Sequence, residues 1–194
     1  MKRVRVMGAM MMAVVIGFTS CQKDDQPTPA PVASNDFLVN GSAVGAFDLF
    51  GFEVGGRVPN TDSVTNRWDF GMRFERIIVN SGASGRGNAG VQVVNQPFDA
   101  VTVAPETGYA FDTSATQLAV KPEQWYVYNA TTRSFSPIAG RTFIFRTANN
   151  KFARMEILTA LPADDNGNLV TPPTRSTRIK YQLRFAFQSN GRNF

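Results

Sequence analysis

The chain has 194 residues, 43% of them hydrophobic, with 20 cationic and 15 acidic side chains and a formal charge of +5. It contains no histidine and a single cysteine. That excludes a histidine-based nucleophilic site, a His/Cys metal centre and any internal disulfide, and the length suits one domain of ordinary size.

Residues 1–20 read as a signal peptide. Lys2, Arg3 and Arg5 form a cationic start, and Val6 to Thr19 is apolar. Its roughly 14 residues fall short of the about 20 that a bilayer span needs. Ser20 before Cys21 resembles a bacterial lipobox, which implies acylation of Cys21 and an outer-membrane lipid anchor. "QKDDQ" after it is similar to the Lys-plus-acid signal that sends lipoproteins to the cell exterior in Bacteroidetes-type bacteria. Loss of the leader leaves 17 cations against 15 acids, a net charge of +2. The basic balance thus belongs mainly to the leader, and the remaining Arg and Lys are scattered singly, so nucleic acid is not an expected partner.

Residues 21–35 hold the acylated Cys and a flexible tether with Pro27, Pro29 and Pro31 and few large apolar groups. Residues 36–194 are expected to fold as one antiparallel all-β domain. "AFDLFGFEV" (46–54) and "RWDFGMRFERIIVN" (67–80) alternate apolar and polar residues with a period of two, which places Trp68, Phe70, Met72 and Phe74 on one strand face. "FDAVTVA", "QWYVYN", "RTFIFRT", "KFARMEILTA" and "TRIKYQLRFAFQ" continue the pattern between Gly, Pro and Asn clusters. In the last, Ile179, Tyr181, Leu183, Phe185 and Phe187 point inward. Residues 148–151 and Asn166-Gly167 read as tight turns, and no window shows a helical stripe.

Gly85, Gly87 and Gly90 spell G-x-G-x-x-G after a strand-like Ile-Ile-Val. A dinucleotide site needs that loop to open a helix, whose positive end carries the pyrophosphate. "VQVVNQPFDAVTV" follows instead, β-branched and interrupted by Pro97, so the loop reads as a tightly turned connection. Asp69 is expected to hold this loop by accepting its free backbone N–H groups.

The segment "NRWDFGMRFERIIVNSGASGRGNAG" with "FDAVTVAPETGYAFD" resembles the HmuY family of bacterial surface lipoproteins. Its most specific part is Trp68-Asp69 joined to the loop of Asn80, Gly82, Gly85, Gly87 and Gly90. "WYVYN", "PIAGRTFIFRTANNKFARMEIL" and "YQLRFAFQSNGRNF" fit the same order, so the likeness runs from about Ala46 to Phe194. It implies an all-β fold and heme capture as a hemophore, with a TonB-dependent receptor as partner. The family's axial ligands lie between its "GY" segment and the "R-x-F-x-F-R"-like strand, here residues 111–141, which contain neither His nor Met.

Heme iron takes His, Met, Tyr or Cys as axial donor. Five of the seven methionines lie in the leader, which leaves Met72 and Met155. Both sit in strand patterns among apolar neighbours, where ordinary core packing is the first reading. Tyr126 and Tyr128, on one strand face, are the remaining candidates, or else ordinary sheet aromatics. No catalytic residue and no metal site is expected. "DDNGN" (164–168) has calcium-loop composition but reads as a hairpin turn, since no bidentate Glu follows. Trp68, Asp69 and Glu75 could instead flank a sugar, which keeps a glycan-binding module beside adhesion or outer-membrane assembly as the alternatives to heme uptake.

Overall fold

The computed structural model describes residues 30–132, 134–170 and 178–194; the expected signal peptide and the expected lipidation at Cys21 lie outside them. Eleven strands run in chain order: β1 (Val32–Asn40), β2 (Asp48–Gly51), β3 (Gly56–Val58), β4 (Phe70–Arg73), β5 (Arg76–Val79), β6 (Gly90–Val94), β7 (Tyr126–Asn129), β8 (Ser134–Pro137), β9 (Thr142–Arg146), β10 (Phe152–Ala163) and β11 (Arg178–Gln188). They form a five-stranded sheet in the order β1-β11-β10-β9-β6, a four-stranded sheet β3-β2-β4-β5, and a β7-β8 pair. All pairings between these strands are antiparallel, so the all-β expectation holds.

The alternating sequences place one face of each large sheet against the other. Phe37 of β1, Tyr181, Leu183 and Phe185 of β11, Met155 of β10 and Phe145 of β9 meet Phe50, Phe52, Phe70 and Met72 in one core. The Phe50 and Phe70 rings stack with centroids 5.0 Å apart, and Phe52 lies 5.0 Å from Phe145. Burial of each such side chain stabilises by about 1.5–3 kcal/mol, and well-placed ring pairs add about 0.5–1.5 kcal/mol.

Each sheet also has a covered outer face. Residues 98–104 and Phe194 lie over Ile144 and Ala186 of the larger sheet. There Arg154 is buried, its Nη1 donating to the carbonyls of Phe98 (2.8 Å) and Val101 (2.7 Å), with its guanidinium 4.3 Å from the Phe98 ring. Leu49, Val58, Trp68 and Ile78 close the smaller one.

Five expectations change. The run 67–80 is a hairpin, not one strand, because Phe74 takes φ 49° and reverses the chain between β4 and β5. Trp68 precedes β4 and joins the outer cluster, away from Phe70 and Met72. Of 46–54 only Asp48–Gly51 is strand, and of 98–104 none is: Phe98–Ala100 forms a 3-10 turn. Order also begins before Asp36, since Val32 already pairs with Ala186. The start of β1 is exposed, so backbone hydrogen bonding and not apolar burial fixes it. The turns at 148–151 and Asn166-Gly167 form as expected, with left-handed Asn150 (φ 59°) and Gly167 (φ 81°).

Candidate functional site

The glycine loop connects β5 to β6, a strand and not a helix, as its β-branched sequel requires. Asn80 organises it. The Asn80 Nδ2 donates to the carbonyls of Thr65 (2.9 Å) and Trp68 (2.7 Å), while Oδ1 accepts the Gly87 N–H (3.1 Å). Its backbone N–H donates to Asp69 and its carbonyl accepts from Ala89. Every polar group of this buried residue is therefore matched. Glycine is required where the loop folds back onto it: a Cβ at Gly85 would overlap Asn80 Oδ1, and one at Gly87 would stand 2.7 Å from the Ala148 Cβ.

Asp69 does not hold the loop. Its Oδ2 accepts the Phe52 N–H and its Oδ1 the Ala148 N–H, each at 2.8 Å, which ties the end of β2 to the β9–β10 turn. The expectation failed because the strand reversal at Phe74 brings Asn80 back beside residue 69, and the amide, with donor and acceptor both, suits a loop offering carbonyls as well as N–H groups. Burial raises the Asp69 carboxyl to about 6; the two N–H donors offset part of that shift, and Glu53 adds slightly to it.

A residue the sequence reading missed joins this junction to a cleft. Asp112 is fully buried; Oδ2 accepts the Val79 N–H (3.0 Å), Oδ1 the Ala119 N–H (2.8 Å), and its carbonyl the Ala83 N–H (2.8 Å). The only available signal was an acid in an otherwise uncharged stretch, "GYAFDTSATQLAV".

Beyond Asp112 the chain forms the wall of an open cleft of about 950 Å³. Glu75 and Arg76 border it from the β4–β5 hairpin; Ala110, Phe111, Thr113 and residues 116–124 supply the rest. The Arg76 guanidinium donates to the Ala115 carbonyl and holds that loop. Farther along, the Lys121 N–H donates to Gln124 Oε1 (2.7 Å), bracing a 3-10 turn at Pro122–Gln124. Phe111 is 52% exposed, Val120 is buried, and Lys121 forms no ion pair among the described residues.

None of the four candidate ligands lines this cleft. Met72 and Met155 are 0% exposed in the central core. Tyr126 is half-buried, its ring 4.8 Å from Trp125 and 5.3 Å from Phe135; burial first, then the charges of Glu75 and Glu123, raise its phenol above the ordinary value. Tyr128, on the same strand, is exposed. Trp68 is 1% exposed, its Nε1 donating to the Ser63 carbonyl, so it offers no platform to a sugar. Asp164 folds its side chain back onto the N–H groups of Asn166 and Asn168, both at 2.9 Å, as a turn. Among the described residues no three His, Cys, Asp or Glu side chains are grouped to hold a metal ion.

Neither a family model nor a curated protein matches the chain. Solved structures do. The apo form of PinO from Porphyromonas gingivitis superposes with a TM-score of 0.52 at 12% identity, over 81% of this chain and 98% of that one. The apo HmuY analog of Tannerella forsythia gives 0.50 at 11% identity, over 82% and 98%. An HmuY-like heme binding protein from Bacteroides vulgatus gives 0.49 at 9% identity, over 81% and 93%. The fold of this chain is HmuY-like.

Proposed function

We propose that this protein is a non-enzymatic binding lipoprotein that holds heme or a related tetrapyrrole in the cleft walled by residues 110–124. The observation that carries the reading is position: the cleft is built by the start of residues 111–141, the stretch that the resemblance to the HmuY family makes its ligand region. Its volume lies within the about 300–1,000 Å³ of small-molecule sites. Phe111 and Leu118 supply apolar contact, and Lys121, without an ion pair among the described residues, suits a ligand carboxylate. Acylation at Cys21 would tether the domain to the outer membrane, facing the exterior, and a TonB-dependent receptor would take the ligand onward.

Hemin added to the purified protein is expected to shift its Soret band. No shift in either the oxidised or the reduced state would sink heme as the ligand. It would favour adhesion or assembly, for which the exposed Val127 and Tyr128 on β7, paired among the described residues with β8 alone, are the supporting feature.

A further inference from the structure

The common protein ligands of heme iron are His, Met, Cys and Tyr. The donor set of this cleft does not fit that role. Its lining offers carboxylates, amides, hydroxyls, Arg76 and Lys121, and none of the four donor types. The chain has no histidine. Both methionines of the described residues are sealed in the core. Each tyrosine is also accounted for. Tyr109 donates its hydroxyl to the Pro105 carbonyl at 2.8 Å and Tyr181 to the Phe74 carbonyl at 2.6 Å. Tyr128 stands outside the cleft. Tyr126 is packed against Trp125 and Phe135, and that burial, then the carboxylates of Glu75 and Glu123, both on the cleft, oppose formation of its phenolate.

Resting on the tetrapyrrole reading above, we infer that the cleft recognises the ring and its acidic side arms and is indifferent to the metal at the centre. A ring that is metal-free or carries zinc is then as good a ligand as hemin. The grip comes from surfaces that touch the periphery: Phe111 and Leu118 on an apolar face, Lys121 toward a carboxylate.

The test is a titration of the full chain with hemin, zinc protoporphyrin and metal-free protoporphyrin, each followed by quenching of the intrinsic tryptophan fluorescence. The three dissociation constants are expected to agree within about threefold, and Phe111→Arg to raise all three by a common factor of about ten with the far-ultraviolet circular dichroism unchanged. Bound hemin, once reduced, is expected to lack the sharp bands of a six-coordinate low-spin iron. Hemin binding tenfold or more tightly than the metal-free ring, or a spectrum of bound ferric hemin that Tyr126→Phe alters, would overturn the inference and leave the tetrapyrrole reading standing. Binding of none of the three would overturn both.

Discussion

The junction around Asn80 and the cleft wall 110–124 are neighbours joined through Asp112, yet they are held in opposite ways. At the junction, Asn80 and Asp69 together make five side-chain hydrogen bonds to backbone groups, all within buried structure or bordering it. Along the wall, the Val91–Ala110 bridge, Asp112 and Arg76 are the long-range pins, and local turns do the rest. A saturated network leaves no room for a ligand and a sparsely pinned loop does. The molecule keeps its stability and its space in separate places.

Removing the junction's centre should have the largest effect. Asn80→Ala strands the Gly87 N–H and two carbonyls, and at about 1–3 kcal/mol for each buried group left unpaired the loss should reach about 4 kcal/mol. A change under about 1 kcal/mol in urea denaturation would show that the loop holds itself. Asp112→Ala should cost about 2–3 kcal/mol by the same reasoning, and it should also speed amide hydrogen exchange along 113–120 while β9 and β10 keep their protection. Uniform acceleration would erase the distinction between wall and core.

Acid sharpens the contrast. The folded Asp69 carboxyl, at about 6, lies above its ordinary 3.8. Its proton is bound more readily by the folded state, so this contribution to stability is complete below pH 4 and is lost as pH rises through 6. Compared with Asp69→Asn, the native chain should therefore gain up to about 2–3 kcal/mol between pH 7 and pH 4. Parallel pH profiles for the two proteins would contradict the assignment. The smallest effect belongs to the wall: Phe111→Ser should change stability by less than about 0.5 kcal/mol while weakening hemin binding. A variant that binds hemin as well as the native chain would remove Phe111 from the cleft's working surface.

The strands of the central core were legible because alternation survives in them without interruption, as from Arg178 to Gln188. The β4–β5 hairpin was not, since "FGMRFERIIV" keeps its alternation through the very residue, Phe74, that turns the chain. The start of β1 escaped notice because its side chains bury little and its backbone carries the pairing. For the site, the importance of the Trp68-Asp69 and glycine segments was readable, but the division of labour between Asp69 and Asn80 depends on that turn. The cleft had no local pattern at all. It is a gap between Glu75 and Arg76 and a segment more than thirty residues downstream, and a gap leaves no periodicity.

β1 lies at the edge of its sheet, with Val32 at one end and Asn40 at the other, where the Asn40 carbonyl accepts the Phe74 N–H at 2.7 Å, one residue from Glu75 on the cleft. At about 3.4 Å per residue those ends stand about 27 Å apart. Force entering upstream of Val32 and resisted at the Asn40 end would load the β1–β11 ladder in shear, its nine residue pairs sharing the strain together, whereas peeling would break them one after another. Under such a load the strand would act as a tie, with the pull borne along its length.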